Sequence, residues 1–421
     1  MTIKNKTVIG LLTLLCVVTV GGEAKVIAAQ SAYTALSPYE LIDPGIQANV
    51  QSYCWYDDER LIFLLGQYSR SSGGMFQSGG LYYLDIRKPT EHHRIDLSPL
   101  SESEQKTLNN VYCKDETILF SLGSSSLAHP DRRRAYSLKL GERPELIAEM
   151  RGLANPLQSV HLKAKYILGN SRRIVQEGPL KGAFEGHDDC SVAYVKPGFK
   201  VLCWDTWLKA HWPLSKFVIA EYRWEDRIKV KGEDGKKKYV PNPEKSIIPS
   251  DGKSVYGLFL RDLNNQVIVN LHDDPTYVGF GDIKTSADER FAYATCRYRR
   301  LEREAANWVC RYLLDGKKQR WEEVLSLRDQ EVGSFIIHGI SVSPNSDIYF
   351  LVQEIGKNIS SIWKYSTQAK KISRVTQPPR HRKDEKPEVS PDGTKVAFIR
   401  PEGYRKIFIV NTISTQGGTN R

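Results

Sequence analysis

The sequence predicts an all-β chain folded as a β-propeller, with seven blades or, alternatively, six, closed by a strand from the N-terminal side. Composition, a repeat of roughly fifty residues, and an incomplete last repeat point to it. Among 421 residues there are 21 Tyr, 13 Phe and 8 Trp against 3 Met. Flat and β-branched side chains suit a pleated surface better than a helix.

The first residues predict an address rather than structure. Lys4 and Lys6 precede the uncharged run 8–20, and the small-residue sites Gly22-Glu23-Ala24 and Ala28-Ala29 follow it. This is the layout of a secretory signal peptide over residues 1–29, cleaved after Ala24 or Ala29. Its apolar run is too short to span a bilayer, and no later stretch is apolar enough. Cys16 follows Leu14-Leu15, so the small residue that a lipidation signal needs before its cysteine is missing. Residues 30–421 then form a single domain in the periplasm or outside the cell. Its remaining cysteines are Cys54, Cys113, Cys190, Cys203, Cys296 and Cys310. An even number in an exported chain predicts disulfides. Spacing favours two local pairs: Cys190 with Cys203 across a Pro197-Gly198 hairpin turn, and Cys296 with Cys310. Cys54 and Cys113 remain for each other. No pair has the CxxC spacing of a zinc site.

The repeat is read most clearly backwards from the C-terminal side. Ser390-Pro391-Asp392-Gly393 is a turn in which Pro presets φ, Asp caps through its side chain and Gly accepts positive φ. An apolar strand to Arg400 follows, then a second at 406–411. Ser343-Pro344-Asn345-Ser346 opens the same layout, with strands at 348–352, 361–365 and 371–376. Upstream copies, each opening on an acidic turn where it is clear, pair 57–65 with 81–85, 115–120 with 135–138, 165–168 with 191–195, 216–220 with 255–260, and 288–294 with 307–312. The second strands centre near residues 62, 118, 167, 218, 292, 348 and 397. Six blades result if the two units between 157 and 272 merge. The last unit has no apolar outer strand of its own, and the segment 33–47 is the natural donor.

The turn Ser390–Gly393 with its strand Thr394-Lys395-Val396-Ala397-Phe398, followed by Ile407-Phe408-Ile409-Val410, resembles the repeat of TolB-like periplasmic propellers. The same repeat occurs in propellers attached to prolyl-oligopeptidase-type peptidases. The match covers residues 336–412, and the middle units lack the Ser-Pro-Asp-Gly turn. The resemblance implies a non-enzymatic scaffold that binds other envelope proteins.

A peptidase would need a Gly-x-Ser-x-Gly elbow, and none is present. Nine histidines include no HExxH motif. Two recur in like company, His187-Asp188-Asp189 and His272-Asp273-Asp274. They define the alternative reading, a metal-dependent lyase or lactonase acting on a carbohydrate or lactone. The binder reading assigns no catalytic residue and no cofactor. Its binding candidates are the rim loop His381-Arg382-Lys383 and a hairpin insertion at about 225–245. The hairpin carries Arg227, Lys229, Lys231, Lys236, Lys237 and Lys238 against Glu233 and Asp234. Exposed lysines also protect a strand edge from pairing. With Arg132–Arg134 and the arginines of 297–303, the net charge of +11 favours an acidic envelope protein or an anionic surface polymer. Nucleic acid fits the charge and not the compartment, and a monomer is expected. Trp204, Trp207, Trp212, Tyr222 and Trp224 form either blade core or a sugar-stacking platform.

Overall fold

The computed structural model describes residues 39–68, 76–122, 132–151, 159–163, 166–170, 172–174, 184–186, 192–195, 200–204, 208–223, 227–231, 236–241, 256–262, 267–271, 277–298, 308–326, 335–354 and 358–412. Among them lie 32 strands, β1–β32, and one short helix, α1.

A two-residue strand, β1 (Leu41–Ile42), comes first. The first full sheet is an antiparallel meander of β2 (Val50–Trp55), β3 (Arg60–Tyr68), β4 (Phe76–Asp85) and β5 (His92–Arg94). Helix α1 (Glu102–Gln105), capped by Ser101 and Glu104, leads to β6 (Leu108–Lys114), β7 (Thr117–Leu122), β8 (Arg132–Leu138) and β9 (Glu145–Arg151). Next come β10 (Ser159–Lys163), β11 (Tyr166–Asn170), the hairpin β12 (Arg172–Ile174) and β13 (Phe184–Gly186), β14 (Val192–Val195) and β15 (Lys200–Trp204). The fourth region contains β16 (Leu208–Pro213), β17 (Phe217–Arg223), the hairpin β18 (Arg227–Lys231) and β19 (Lys237–Pro241), β20 (Tyr256–Asp262) and β21 (Val267–Asn270). Two regular meanders follow: β22 (Tyr277–Thr285), β23 (Phe291–Tyr298), β24 (Trp308–Leu313) and β25 (Glu322–Ser326), then β26 (Phe335–Val342), β27 (Ile348–Glu354), β28 (Ser360–Ser366) and β29 (Lys371–Arg374). The last sheet is β30 (Glu385–Val389), β31 (Lys395–Glu402) and β32 (Tyr404–Asn411), with β1 on the outer edge of β32.

Successive meanders packed face to face, as five neighbouring pairs of these sheets are, form the arrangement of a β-propeller. Strands alternate their side chains between two faces, so the first, fifth, sixth and last sheets each contribute to two cores. Ile62 and Phe120 pack the first sheet on the second, Ile219 and Tyr312 the fourth on the fifth, and Phe350 and Tyr293 the sixth on the fifth. Tyr349 and Phe398 join the sixth to the last, and Phe63 and Ile409 join the last to the first. No helix among the described residues is long and apolar enough to cross a membrane.

The middle region departs from the sequence reading. Val192–Val195 does not join Tyr166–Asn170; it pairs with β9, making that sheet five-stranded, and β11 takes β15 as a parallel neighbour. Strands consecutive in sequence are adjacent only about two-thirds of the time, and here the insertion of β12 and β13 breaks the order. Pro197-Gly198 lies outside the described residues, and the strands on either side of it, β14 and β15, belong to different sheets rather than pairing as a hairpin.

One turn recurs where first strands enter second strands. Ser390 Oγ accepts from Lys395 N (3.0 Å) and donates to Asp392 Oδ1 (2.6 Å), with Gly393 at φ 77°. Ser286 does the same with Phe291 N (3.0 Å) and Asp288 Oδ1 (2.6 Å), with Glu289 at φ 56° in the glycine position. The fifth sheet therefore has the repeat's turn without its proline or glycine. A second repeated feature is a register shift in the first strand: β2, β6, β16, β22, β26 and β30 all bulge against their partners. Bulges increase local twist and redirect side chains.

Candidate functional site

The first strands of five sheets meet at a cavity of about 550 Å³, lined by β2, β6, β22, β26 and β30, with Leu214 from the β16–β17 turn. The repeat places one cavity residue two positions before each turn serine: Lys284 before Ser286, Ser341 before Ser343, and Glu388 before Ser390. These three equivalent positions interlock. Lys284 Nζ lies 2.7 Å from Glu388 Oε1, spanning the intervening β26. Ser341 Oγ accepts from Val389 N at 3.1 Å. Both charges are more than a third exposed, so the pair fixes geometry more than it stabilises the fold.

The wall from the first sheet is aromatic. Trp55 Nε1 donates to Glu388 O at 2.9 Å, and Tyr53 Oη donates to Ala397 O at 3.1 Å and lies against Lys386 O. Burial raises the Tyr53 pKa well above its usual value, Glu388 adds to the shift and Arg405 opposes it. Tyr53 thus remains a neutral donor that clamps β30.

Lys386 sits on the β30 bulge at φ 51°. Its nearest polar contact is the Gln51 carbonyl, 3.5 Å from Nζ. Lys386 is exposed by surface area, yet protein packed near its ammonium desolvates it enough to hold its pKa below the usual lysine value, with repulsion from Arg405 next. Further along, His338 on the β26 bulge has a buried Nε2 with no partner. Burial lowers the His338 pKa against the raising effect of Asp282, and Lys383 lowers it further. The neighbouring Gly339 N donates to Asp282 Oδ2 at 2.9 Å.

The turn side of the same opening is tied by Glu289. Its Oε2 accepts from Ser215 N (2.7 Å) and Oγ (2.5 Å), and Oε1 lies 3.9 Å from Lys114 Nζ. These contacts span three sheets and account for a glutamate at a positive φ that glycine would adopt without strain.

The predicted rim loop is on the molecule's surface beside this axis. His381 and Arg382 are exposed, and Arg382 Nη1 donates to Pro401 O at 3.2 Å. Lys383 is half-buried, forms a parallel bridge with Ser360, and is the one member of the trio whose charge reaches His338. Asp384, next in sequence, is fully buried against Arg400 (2.7 and 3.3 Å) and also receives the Thr376 hydroxyl. Burial pushes its pKa up, and Arg400 pulls it back. The basic hairpin is a separate two-stranded sheet, in which Arg227 opposes Pro241, Lys229 opposes Tyr239, Val230 opposes Lys238 and Lys231 opposes Lys237. Lys236, just before β19, is exposed. Arg134, counted with the basic surplus, is paired with Glu104 at 2.5 Å.

Among the described residues there are two disulfides, Cys54–Cys113 and Cys296–Cys310. The first links the first strands of the first two sheets and lines the cavity; the second is buried between β23 and β24. Cys190 lies outside the described residues, so its expected bond to Cys203 is not described. His187, Asp188, His272 and Asp273 also lie outside, as do Trp207 and Trp224.

Sequence reading placed function on the charged rim segment 381–387, which contains Lys386, and missed Lys284, Glu388 and Tyr53. Aligning the repeats on their turn serine, rather than on their apolar second strands, exposes the charged positions two residues upstream.

The sequence matches no protein-family model and no curated protein. The chain is similar in structure to virginiamycin B lyase from Staphylococcus aureus, at 11% identity over 89% of this chain and 99% of that one, with a TM-score of 0.41. It is similar to the β-propeller domain of the Trilobed protease from Pyrococcus furiosus (10% identity, 86% and 93% covered, TM-score 0.45). It is also similar to YCF48 bound to D1 peptide (11%, 90% and 98%, 0.46). At such identities the likeness concerns the path of the chain and says nothing of chemistry.

Proposed function

We propose that this chain is an exported, non-enzymatic propeller scaffold of the TolB-like kind, in which seven blades close into a ring and present a basic surface to an acidic envelope partner. The observation that carries the reading is the set of ties across the axis. Lys284–Glu388, Glu289–Ser215, Trp55–Glu388 and Tyr53–Ala397 hold strands and turns of different sheets in fixed relation around one cavity. A rigid ring that presents polar loops suits recognition.

Closure is supported by β1, whose Leu41 and Ile42 pair with Val410 and Ile409, and by the packing of the last sheet on the first. Seven blades follow from counting the β10-β11-β15 sheet as a blade beside the six sheets of four or five strands. Two disulfides are compatible with an oxidising compartment. The partner contacts are the rim residues His381, Arg382 and Lys383 and the basic hairpin.

The test has two parts. Expression of the full chain with fractionation should recover it from the periplasm or medium, with its N-terminus at residue 25 or 30. Photo-crosslinking from position 381 and from position 236 in intact cells should give one envelope adduct, lost when Lys229, Lys231, Lys237 and Lys238 are changed to Glu. A cytoplasmic product, or an unchanged adduct in the charge-reversed variant, overturns the reading. A stoichiometric metal lost on His187→Ala or His272→Ala would transfer it to the enzyme alternative.

A further inference from the structure

We propose that the axial cavity is a binding site for one small organic carboxylate, held by Lys386. This inference requires the cavity and not the envelope partner proposed above.

Among the described residues, the charges lining the cavity are matched except for one. Lys284 is closed on Glu388 at 2.7 Å, and Glu385 is held by Arg405 at 2.9 Å. Lys386 lines the same cavity, and among the described residues no carboxylate lies within ion-pair distance of it. One cation is therefore left over where the wall also holds one balanced pair. A monoanion neutralises that surplus. A phosphate dianion would leave one negative charge uncompensated beside Glu388, so the charge count favours a carboxylate.

The backbone agrees. A lysine at φ 51° is strained relative to glycine, and non-glycine residues in this region concentrate at ligand-contacting positions. Here the bulge between Glu385 and Glu388 turns Lys386 out of the regular pairing with β31, while Tyr53 clamps the carbonyl of the same residue. The strained backbone is held by a buried phenol, and the side chain is left to the cavity. Desolvation also disfavours the Lys386 charge, a cost that an anion at Nζ removes.

The rest of the lining describes the body of the ligand. Trp55, Val342 and Val389 offer an apolar wall, and Ser52, Thr285 and Ser341 offer hydroxyls. Such mixed walls suit a ring with hydroxyl or amide groups. A volume of about 550 Å³ is within the range of small-molecule pockets. Sugar acids and free peptide C-termini both carry the required group.

Isothermal titration of the purified full chain tests this with sodium glucuronate and N-acetyl-dialanine, against glucose, N-acetyl-dialaninamide and inorganic phosphate. The expected result is 1:1 binding of at least one carboxylate, none of its neutral counterpart, and weaker binding of phosphate. Which carboxylate binds distinguishes a sugar acid from a peptide end. Lys386→Met should weaken binding about tenfold or more, a loss of about 1.4 kcal/mol or more, and Lys386→Arg should retain it. Glu388→Gln, which frees Lys284 as a second cation, should tighten binding, a gain that misfolding cannot produce. Bound carboxylate should also protect Lys386 from amine acylation, read by peptide mass spectrometry. Failure of both carboxylates to bind, equal binding of the neutral probes or of phosphate, or unchanged affinity in Lys386→Met overturns the proposal. None of these results bears on the crosslinking test of the envelope partner.

Discussion

Removing each disulfide tests the chain-entropy contribution that the structure assigns to it. Cys54 and Cys113 close a loop with a sequence separation of 59, and Cys296 and Cys310 one of 14. Loop-closure entropy then gives about 4 kcal/mol for the first and about 3 kcal/mol for the second. The first pair is half-buried against the core between the first two sheets, so Cys54→Ala with Cys113→Ala adds some packing loss to the larger loop term. The second pair is fully buried among β23 and β24, so Cys296→Ala with Cys310→Ala adds a packing loss to its smaller loop term. Urea unfolding followed by both tryptophan fluorescence and far-UV circular dichroism measures the cost, provided that the slopes match wild type. Access separates the bonds more sharply, because thiol–disulfide exchange requires the attacking thiolate to reach sulfur. Dithiothreitol under native conditions should reduce Cys54–Cys113 first, and alkylation mapping should find Cys296 and Cys310 unlabelled until urea is added. A loss below about 1 kcal/mol for the first pair, or prior labelling of the buried pair, refutes the reasoning.

Arg400→Met strands the Asp384 carboxyl in the core and should cost about 3–5 kcal/mol in urea unfolding, whereas adding Asp384→Leu should return most of it. His338 binds a proton less readily folded than unfolded. The unfolded chain therefore takes up more protons below about pH 6.5, and stability falls as pH drops through that range; thermal melts of His338→Phe should show a shallower fall. Glu289→Ala should lose about 1 kcal/mol in the same urea assay by releasing Ser215 N. Glu289→Gly should lose less, because glycine relieves the positive φ.

The propeller was legible because its signal is local. A polar turn, an apolar strand and a second strand recur along the chain, and the pairs 61–65 with 81–85 and 288–294 with 307–312 are neighbours as expected. The region around Val192 was not legible, since nothing in four apolar residues records which sheet edge is open; β9 offers that edge only after the chain is folded. The cavity was half legible. Lys284 and Glu388 occupy equivalent repeat positions, but their pairing across β26 depends on the curvature that brings first strands together. Lys386 reaches the cavity through a bulge, which shifts alternation by one residue and defeats any reading based on a period of two. The turn Ser286–Glu289 hid for a simpler reason: its hydrogen bonds come from Ser286 and Asp288, and proline and glycine, the residues by which such turns are recognised, are dispensable.

The account depends above all on the two ends of the chain sharing one sheet. Leu41→Cys with Val410→Cys places thiols at a paired position of β1 and β32. Oxidised protein analysed by non-reducing peptide mass spectrometry should contain the 41–410 crosslink within a monomer and unfold at higher urea than its reduced form. Free thiols at both positions, or crosslinks only between molecules, would contradict it.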